Sequence, residues 1–549
     1  MAATSPSSSS AAPSSRYEGG LYGMPALLAM SGIALVVLLS ALDQTIVSTA
    51  MPKIIAELQG FDLYAWVATS YLLTSTVTIP IMGKFGDLYG RKPFVLAAII
   101  VFVGASAACG MATSMLGLII GRGVQGIGAG MIQATGFSSI SDIFPQPERR
   151  VRWQGVVTST FGLASVLGPT LGGVMTDNLG WRSVFYVNLP VGILAVIVLI
   201  FTLPRELSPR QPNARIDWPG VATITLSISA LLMAVEWSGE MGWSSPLIVG
   251  LLLFGFAMLV LFVWIEWRAP EPLMPLDLFT IPTVTISCLV SLLVGFALFS
   301  LIFYTPLFAQ GSLGLSASAA GVILTPLVTC IAVGSLCCGQ LFPRFPRVRV
   351  MMLIGGSLFT IGAFCLSQTT RETEQIWFSV LLGMCGTGVG MLMPMMVMCV
   401  QAVVPRRRMG VGTAANQFLR QIGNTLGTAL VGALVASLFM SNLTFRAPAD
   451  TDPRLLAAMN DPTVLVSADA QAELAVLADE IGPQGPSQLE TLMALGRDAL
   501  AVGIRASYWA AVGAGVLILI LASLLRPQMF VVPSDQLRTL PVERELPSL

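Results

Sequence analysis

The chain has 549 residues, 54% hydrophobic and 11% charged, with 29 basic and 29 acidic side chains. Soluble domains carry about a quarter charged residues, so a soluble globular protein is excluded, and a net charge of zero without a basic stripe excludes nucleic-acid binding. There is no histidine, and the eight cysteines lie in apolar runs at no metal-ligand spacing, so no metal or cofactor is expected.

Residues 1–23 are rich in Ser, Ala and Pro and lack an apolar core, which predicts a disordered tail and not a cleavable signal. Fourteen apolar runs follow, each of about 20 residues and able to cross roughly 30 Å of hydrocarbon as a helix. They cover 26–48, 64–83, 94–112, 115–137, 154–175, 183–203, 217–236, 246–265, 282–308, 318–341, 350–368, 376–400, 411–437 and 504–525. With the N-terminus inside, 20 of the 29 Lys and Arg fall in cytoplasmic segments and 7 outside or at outer span ends, leaving Arg122 and Arg420 within spans. That asymmetry predicts a multi-pass plasma-membrane protein with both termini in the cytoplasm.

The first span ends Ala41-Leu42-Asp43-Gln44-Thr45-Ile46-Val47, with Asp43 about 25 Å along a helix starting near Ala26. A carboxylate at membrane depth is expensive and marks a functional site by default. Desolvation would move its pKa up, toward a range where it exchanges protons. An acid at headgroup level, or one pinned by an arginine, is the alternative. The turn Gly83-Lys84-Phe85-Gly86-Asp87-Leu88-Tyr89-Gly90-Arg91-Lys92 sets three cations and one acid between two apolar runs. Its glycines let helix ends approach closely. Asp87 can accept from a neighbouring helix N-terminus or from an arginine.

In the fourth span, Gly121-Arg122-Gly123-Val124-Gln125-Gly126-Ile127-Gly128 places an arginine that cannot lose its proton among glycines suited to close packing. Arg122 must find a carboxylate, a carbonyl or water, or snorkel to a surface. The fifth span carries Gly155, Gly162, Gly168, Pro169, Gly172 and Gly173, where the proline removes a backbone bond and the glycines permit bending and packing. Arg420, in the thirteenth span, is a candidate partner for Asp43 or for substrate, or sits near the inner interface beside Arg406-Arg407-Arg408. The Met-rich stretch 391–396 either lines an adaptable apolar cavity or packs in the ordinary way.

The second half echoes the first. Gly339 and Arg347 repeat the spacing of Gly83 and Arg91 at an offset of 256, and Gly383, Gly388 and Gly390 repeat that of Gly121, Gly126 and Gly128 at an offset of 262. Parallel repeats are expected when two bundles rock about a central site. The runs at 217–236 and 246–265 read as an inserted hairpin. The segment 439–503 reads as a long external loop with short helices around Leu455-Leu456 and Leu492-Leu495.

The 83–92 turn resembles the signature of the major facilitator superfamily, where it latches the cytoplasmic gate; Leu88 stands where most members carry arginine. The stretch from Leu42 to Pro52 resembles the first-span signature of fourteen-span drug–proton antiporters. Gly168-Pro169-Thr170-Leu171-Gly172-Gly173 resembles the fifth-span motif of exporters, with Ala164 in place of a usual glycine, and Trp181 to Gly192 resembles the start of their sixth span. The resemblance covers about residues 26–525. It implies an all-α membrane protein with the major facilitator fold: a tail (1–23), a six-helix bundle (24–203), a linker with two extra helices (204–281), a second six-helix bundle (282–525) and a tail (526–549).

The implied activity is proton-coupled export of amphipathic or cationic hydrophobic compounds by alternating access, driven by the proton gradient without a cofactor. Asp43, Arg122, Gln125 and Arg420 would serve proton coupling and substrate. Gly83, Asp87, Gly90, Arg91 and Lys92 would form the cytoplasmic gate, and Gly155, Gly168, Pro169, Gly172 and Gly173 the antiporter helix motif. Small lipophilic substrates or lipids and the bilayer are the expected partners, and a monomer is the expected unit. A lipid or glycolipid exporter on the same scaffold is the alternative. A membrane enzyme is a remote one, for want of a nucleophile–base pair.

Overall fold

A computed structural model describes residues 23–58, 63–204, 216–315, 317–370, 373–405, 408–448, 451–459, 462–465, 468–481 and 484–526. The expected tails therefore lie almost wholly outside the described residues, as do Arg406 and Arg407; of Pro169 only the helical backbone is described. Every regular element among the described residues is helical, as expected where lipid offers the backbone no hydrogen-bond partner.

The N-terminal half comprises α1 (Gly23–Leu58), α2 (Tyr64–Tyr89), α3 (Arg91–Gly110), α4 (Met115–Ile143), α5 (Pro147–Leu179), a short α6 (Ser183–Tyr186) and α7 (Asn188–Thr202). A hairpin follows, α8 (Trp218–Met241) and α9 (Pro246–Arg268). The C-terminal half comprises α10 (Pro282–Leu307), α11 (Ala317–Leu341), α12 (Val348–Ser367), α13 (Gln375–Val403) and α14 (Met409–Arg446), then α15 (Pro453–Ala458), α16 (Ala468–Ile481) and α17 (Gly485–Ser523).

Twelve helical stretches among the described residues are long and apolar enough to cross a membrane. Fourteen were expected; α2 and α5, at 64–83 and 154–175, are not among the twelve. Both are continuous helices of 26 and 33 residues. The hydroxyls of α2, Thr69, Ser70, Thr74, Ser75, Thr76 and Thr78, lower its hydropathy, and the apolar stretch of α5 includes side chains outside the described residues. Both meet the other half, as α4 does: α2 and α4 pack on α14, and α5 packs on α11 and α13.

Helix pairing repeats across the halves. In the first, α4 lies against α2 and α3, and α1 against α5; in the second, α13 lies against α11 and α12, and α10 against α14. The halves meet through α2 on α14 and α5 on α11. A Cβ at Gly83 would collide with Ala414 and come within 3.0 Å of the Gly410 oxygen, and one at Gly155 would lie 2.6 Å from the Ser335 oxygen. Only glycine permits these approaches.

The hairpin covers the α2–α14 seam. Trp66 meets Trp237 at one end (ring centroids 5.6 Å apart) and Phe85 meets Trp218 at the other (6.4 Å), so α8 runs antiparallel to α2. The expected 439–503 loop is largely helix: α14 continues to Arg446, and α17 begins at Gly485 instead of near 504. Together with α15 and α16 these extensions enclose Leu455, Met459, Leu474 and Leu492, all buried. That apolar core is why the segment folds as a cap on the second half.

Candidate functional site

Asp43, Arg122 and Gln125 come together inside the first half. Glycines of α4 make this possible: a Cβ at Gly126 would collide with the Tyr71 oxygen of α2, and one at Gly128 would lie 2.7 Å from the Phe102 nitrogen of α3. With α4 drawn so close, Arg122 Nη1 donates to Asp43 Oδ2 at 2.5 Å and to Gln125 Oε1 at 2.8 Å. Gln125 Nε2 donates to Asp43 Oδ1 (2.8 Å) and to Ser106 Oγ (2.9 Å). Asn188 Nδ2, on α7, donates to the same two oxygens at 3.0 and 2.7 Å. Arg122 Nε reaches the Val67 oxygen (3.3 Å), and the guanidinium lies 4.2 Å from the centre of the Tyr71 ring.

Both charges are almost wholly removed from solvent, with side-chain exposures of 3% for Arg122 and 0% for Asp43. A buried ion pair is tolerable only when its remaining hydrogen-bonding capacity is met, and the amides of Gln125 and Asn188 meet it. Asp43 is thus paired with an arginine in this conformation. Tyr71 and Ser40 hydroxyls lie 3.4 Å apart, and Ser40 lines the cavity between the halves. A chain of Ser40, Tyr71, Arg122 and Asp43 thus connects cavity wall to buried acid.

Arg420 is not Asp43's partner, contrary to one expectation. It faces the cavity from α14, with Nε donating to Gln417 Oε1 at 2.9 Å. The cavity is walled by α1, α4 and α5 on one side and α13 and α14 on the other. Met393 and Met396 of the Met-rich stretch line it. Beneath it Gln401 Nε2 donates to the Phe137 oxygen (3.3 Å) and to Thr413 Oγ1 (3.2 Å), while Gln154 Nε2 donates to Gln401 Oε1 (2.8 Å).

The turn 83–92 closes one end of the bundle. Asp87 accepts from the Gly410 and Val411 backbone N–H groups at 2.9 Å each, at the start of α14, and from Arg91 Nη2 at 2.9 Å. Arg91 also pairs with Asp142. Burial pushes the Asp87 carboxyl up, against the downward pull of Arg91, the two N–H groups and Lys84. Gly90 has φ 89°, a conformation that turns α2 into α3 within one residue. Lys92 donates to the Ile200 and Leu203 oxygens (2.7 and 2.5 Å), tying α3 to the end of α7. The segment after α9 adds a strap, with Glu271 on Lys84 (3.2 Å) and Asp277 on Arg408 (2.6 Å).

In the antiporter motif, Gly155 packs on α11, and Gly168 and Gly172 pack on α1 at Thr45 and Thr49; Gly173 faces open space. At the opposite end of the bundle Glu57 accepts from Trp181 Nε1 (2.7 Å) and pairs with Arg182. Those two bonds hold its carboxyl below the ordinary range. Sequence reasoning missed Ser106, Tyr71, Asp142, Gln401 and the strap. Asn188 carried a signal, an amide inside an apolar run.

Two similar helical halves, a cavity between them and a buried charge cluster beside it define a polytopic membrane carrier. A model of the Major Facilitator Superfamily matches residues 33–428, and the chain belongs to that family; it is a transporter and not an enzyme. It is 37% identical over 411 residues to the multidrug transporter protein MdtP of Bacillus subtilis (strain 168), covering 74% of this chain and 75% of that one. It is 37% identical over 413 residues to multidrug resistance protein 3 of the same organism, covering 75% and 80%. The crystal structure of the human organic anion transporter MFSD10 matches with TM-score 0.61 at 13% identity, over 91% of this chain and all of that one, a likeness of fold.

Proposed function

We propose that this chain exports small lipophilic compounds from the cytoplasm in exchange for protons, as a multidrug transporter working as a monomer. The observation that carries the reading is the buried Asp43–Arg122 pair joined through Tyr71 and Ser40 to the central cavity. Protonation of Asp43 would release Arg122 from its partner and loosen α1 from α4. Since α1 packs on α5 and α5 on α11, that change reaches the seam between the halves. The basic end, closed by Asp87 on α14, is assigned to the cytoplasm by its Lys and Arg excess. On this reading α2 and α5 also cross the bilayer, for fourteen spans in all.

The test is Asp43→Asn in proteoliposomes, which keeps size and amide hydrogen bonding but fixes the site neutral. The variant should insert normally, lose accumulation of substrate against a gradient, and lose substrate-evoked proton movement. Uphill pumping with the wild-type dependence on the proton gradient would overturn the reading. Lipid export is the second reading, favoured by the folded cap. Replacing 447–484 with a short linker leaves α14 and α17 whole; lost lipid transfer with intact drug efflux would favour it.

A further inference from the structure

The cavity wall carries one cation and no carboxylate: Arg420 is the charged side chain among the residues that line it, with Gln133, Asn416 and Gln417 as polar neighbours. The acid that would attract a cationic substrate, Asp43, has a side-chain exposure of 0% and is already held by Arg122, Gln125 and Asn188. Among the described residues no acid lies within ion-pair distance of Arg420, and the Gln417 oxygen is its hydrogen-bond acceptor. An arginine cannot relieve an uncompensated position by losing its proton, and a lone cation at membrane depth calls for a partner. Its fork of N–H donors matches a carboxylate or sulfonate bidentately. Phe137 and Phe161 on the facing wall, with Met393 and Met396 beside Arg420, supply a surface for an apolar body.

We propose that Arg420 makes this cavity selective for amphipathic organic anions, an apolar body bearing one carboxylate or sulfonate, over lipophilic cations of the same size. The proposal rests on the exporter reading for its physiological sense, but the selectivity is a property of the cavity. A cation placed there would face Arg420 with no acid to offset it, so rejection and attraction come from the same side chain. This narrows the expectation of amphipathic or cationic compounds to the opposite charge.

The test uses three dansyl probes of matched size, bearing a carboxylate, a neutral carboxamide and a trimethylammonium group. Binding to the purified full chain in detergent is read by fluorescence titration. The carboxylate should bind roughly tenfold or more tighter than the amide, the increment of a charge-assisted hydrogen bond, and the ammonium more weakly than either. Arg420→Gln should bring the acid-to-amide affinity ratio to about one, and Arg420→Lys should keep much of the preference. Equal or tighter binding of the ammonium by the wild type, an unchanged acid-to-amide ratio in Arg420→Gln, or no binding of any probe would overturn the proposal. Proton-driven flux of the amide in proteoliposomes is read separately; its absence alongside intact acid preference would sink the exporter reading and leave the cavity's selectivity standing.

Discussion

The two halves share a packing scheme but not a chemistry. Glycines of α4 and α13 play equivalent parts in that scheme. Gly126 closes on Tyr71 as Gly386 closes on Leu327, and Gly128 closes on Phe102 as Gly388 closes on Phe359. The repeat register between α4 and α13 is therefore 260 residues (386 minus 126), not the 262 expected from spacing. Between α2 and α11 it is 256 (327 minus 71). In that register Arg122 corresponds to Leu382, Gln125 to Cys385 and Asp87 to Pro343. Leu382 and Cys385 are fully buried. Arg347, counterpart of the buried Arg91, is exposed. One half thus carries the buried Asp43–Arg122 pair and the Asp87–Arg91 turn, the other an apolar mirror that presents Arg420 to the cavity.

The comparison breaks most violently if the first half's charge is copied into the second. Leu382→Arg buries a cation where no acid has been supplied, a situation that costs about 3–5 kcal/mol when one member of a buried pair is missing. Little folded protein should be recovered, as judged by size-exclusion profile in detergent; a well-folded, active variant would mean that the second half is not the dry core described here.

The shared scaffold is tested by Gly126→Ala and Gly386→Ala. Each adds a Cβ against the backbone of a neighbouring helix, and overpacking of this kind costs about 1–3 kcal/mol. Thermal unfolding in detergent should fall by similar amounts in both. Transport should suffer more in Gly126→Ala, which pushes Arg122 and Gln125 away from Asp43. Equal transport losses would dissolve the distinction between the halves.

Asp87→Asn removes the ionised acceptor that holds α14 and Arg91. Transport should drop several-fold at unchanged abundance, and a cysteine engineered near Val411 should label faster from the basic end. Unaltered labelling would remove Asp87 from the gate.

The smallest effect is expected at Glu57→Gln, at the far end. Glu57 is exposed and its carboxyl lies below the ordinary range because of Arg182 and Trp181. Its tie is complete above the ordinary carboxylate range and is lost as pH falls through the lowered value. The variant should change unfolding temperature little at neutral pH and lose that part of the acid dependence which wild type shows.

Much of this was legible before any coordinates. Asp43, Arg122 and Asp87 stood out because an ionised group in or beside an apolar run is costly wherever the helix ends up. Arg420 stood out for the same reason, yet its surroundings stayed open between Asp43, substrate and the inner interface, because which way a helix face points is not written in its own residues. Asn188 showed only as an amide in an apolar run and Ser106 not at all, until α7 and α3 brought them to the Asp43 cluster. The strap residues Glu271 and Asp277 look like ordinary surface acids, and their pairing with Lys84 and Arg408 joins positions far apart along the chain.

What the sequence by itself determined is the local part: long apolar helices, their breaks, the glycine-punctuated turn and the presence of rare buried charges, since each follows from the cost of exposing backbone or charge to hydrocarbon. The tertiary structure decided the pairings. Helix rotation and separation are set by where glycines let backbones touch, and those contacts join residues tens to hundreds of positions apart. Only that packing gave Asp43 to Arg122, left Arg420 facing the cavity, and turned the 439–503 segment into a folded cap.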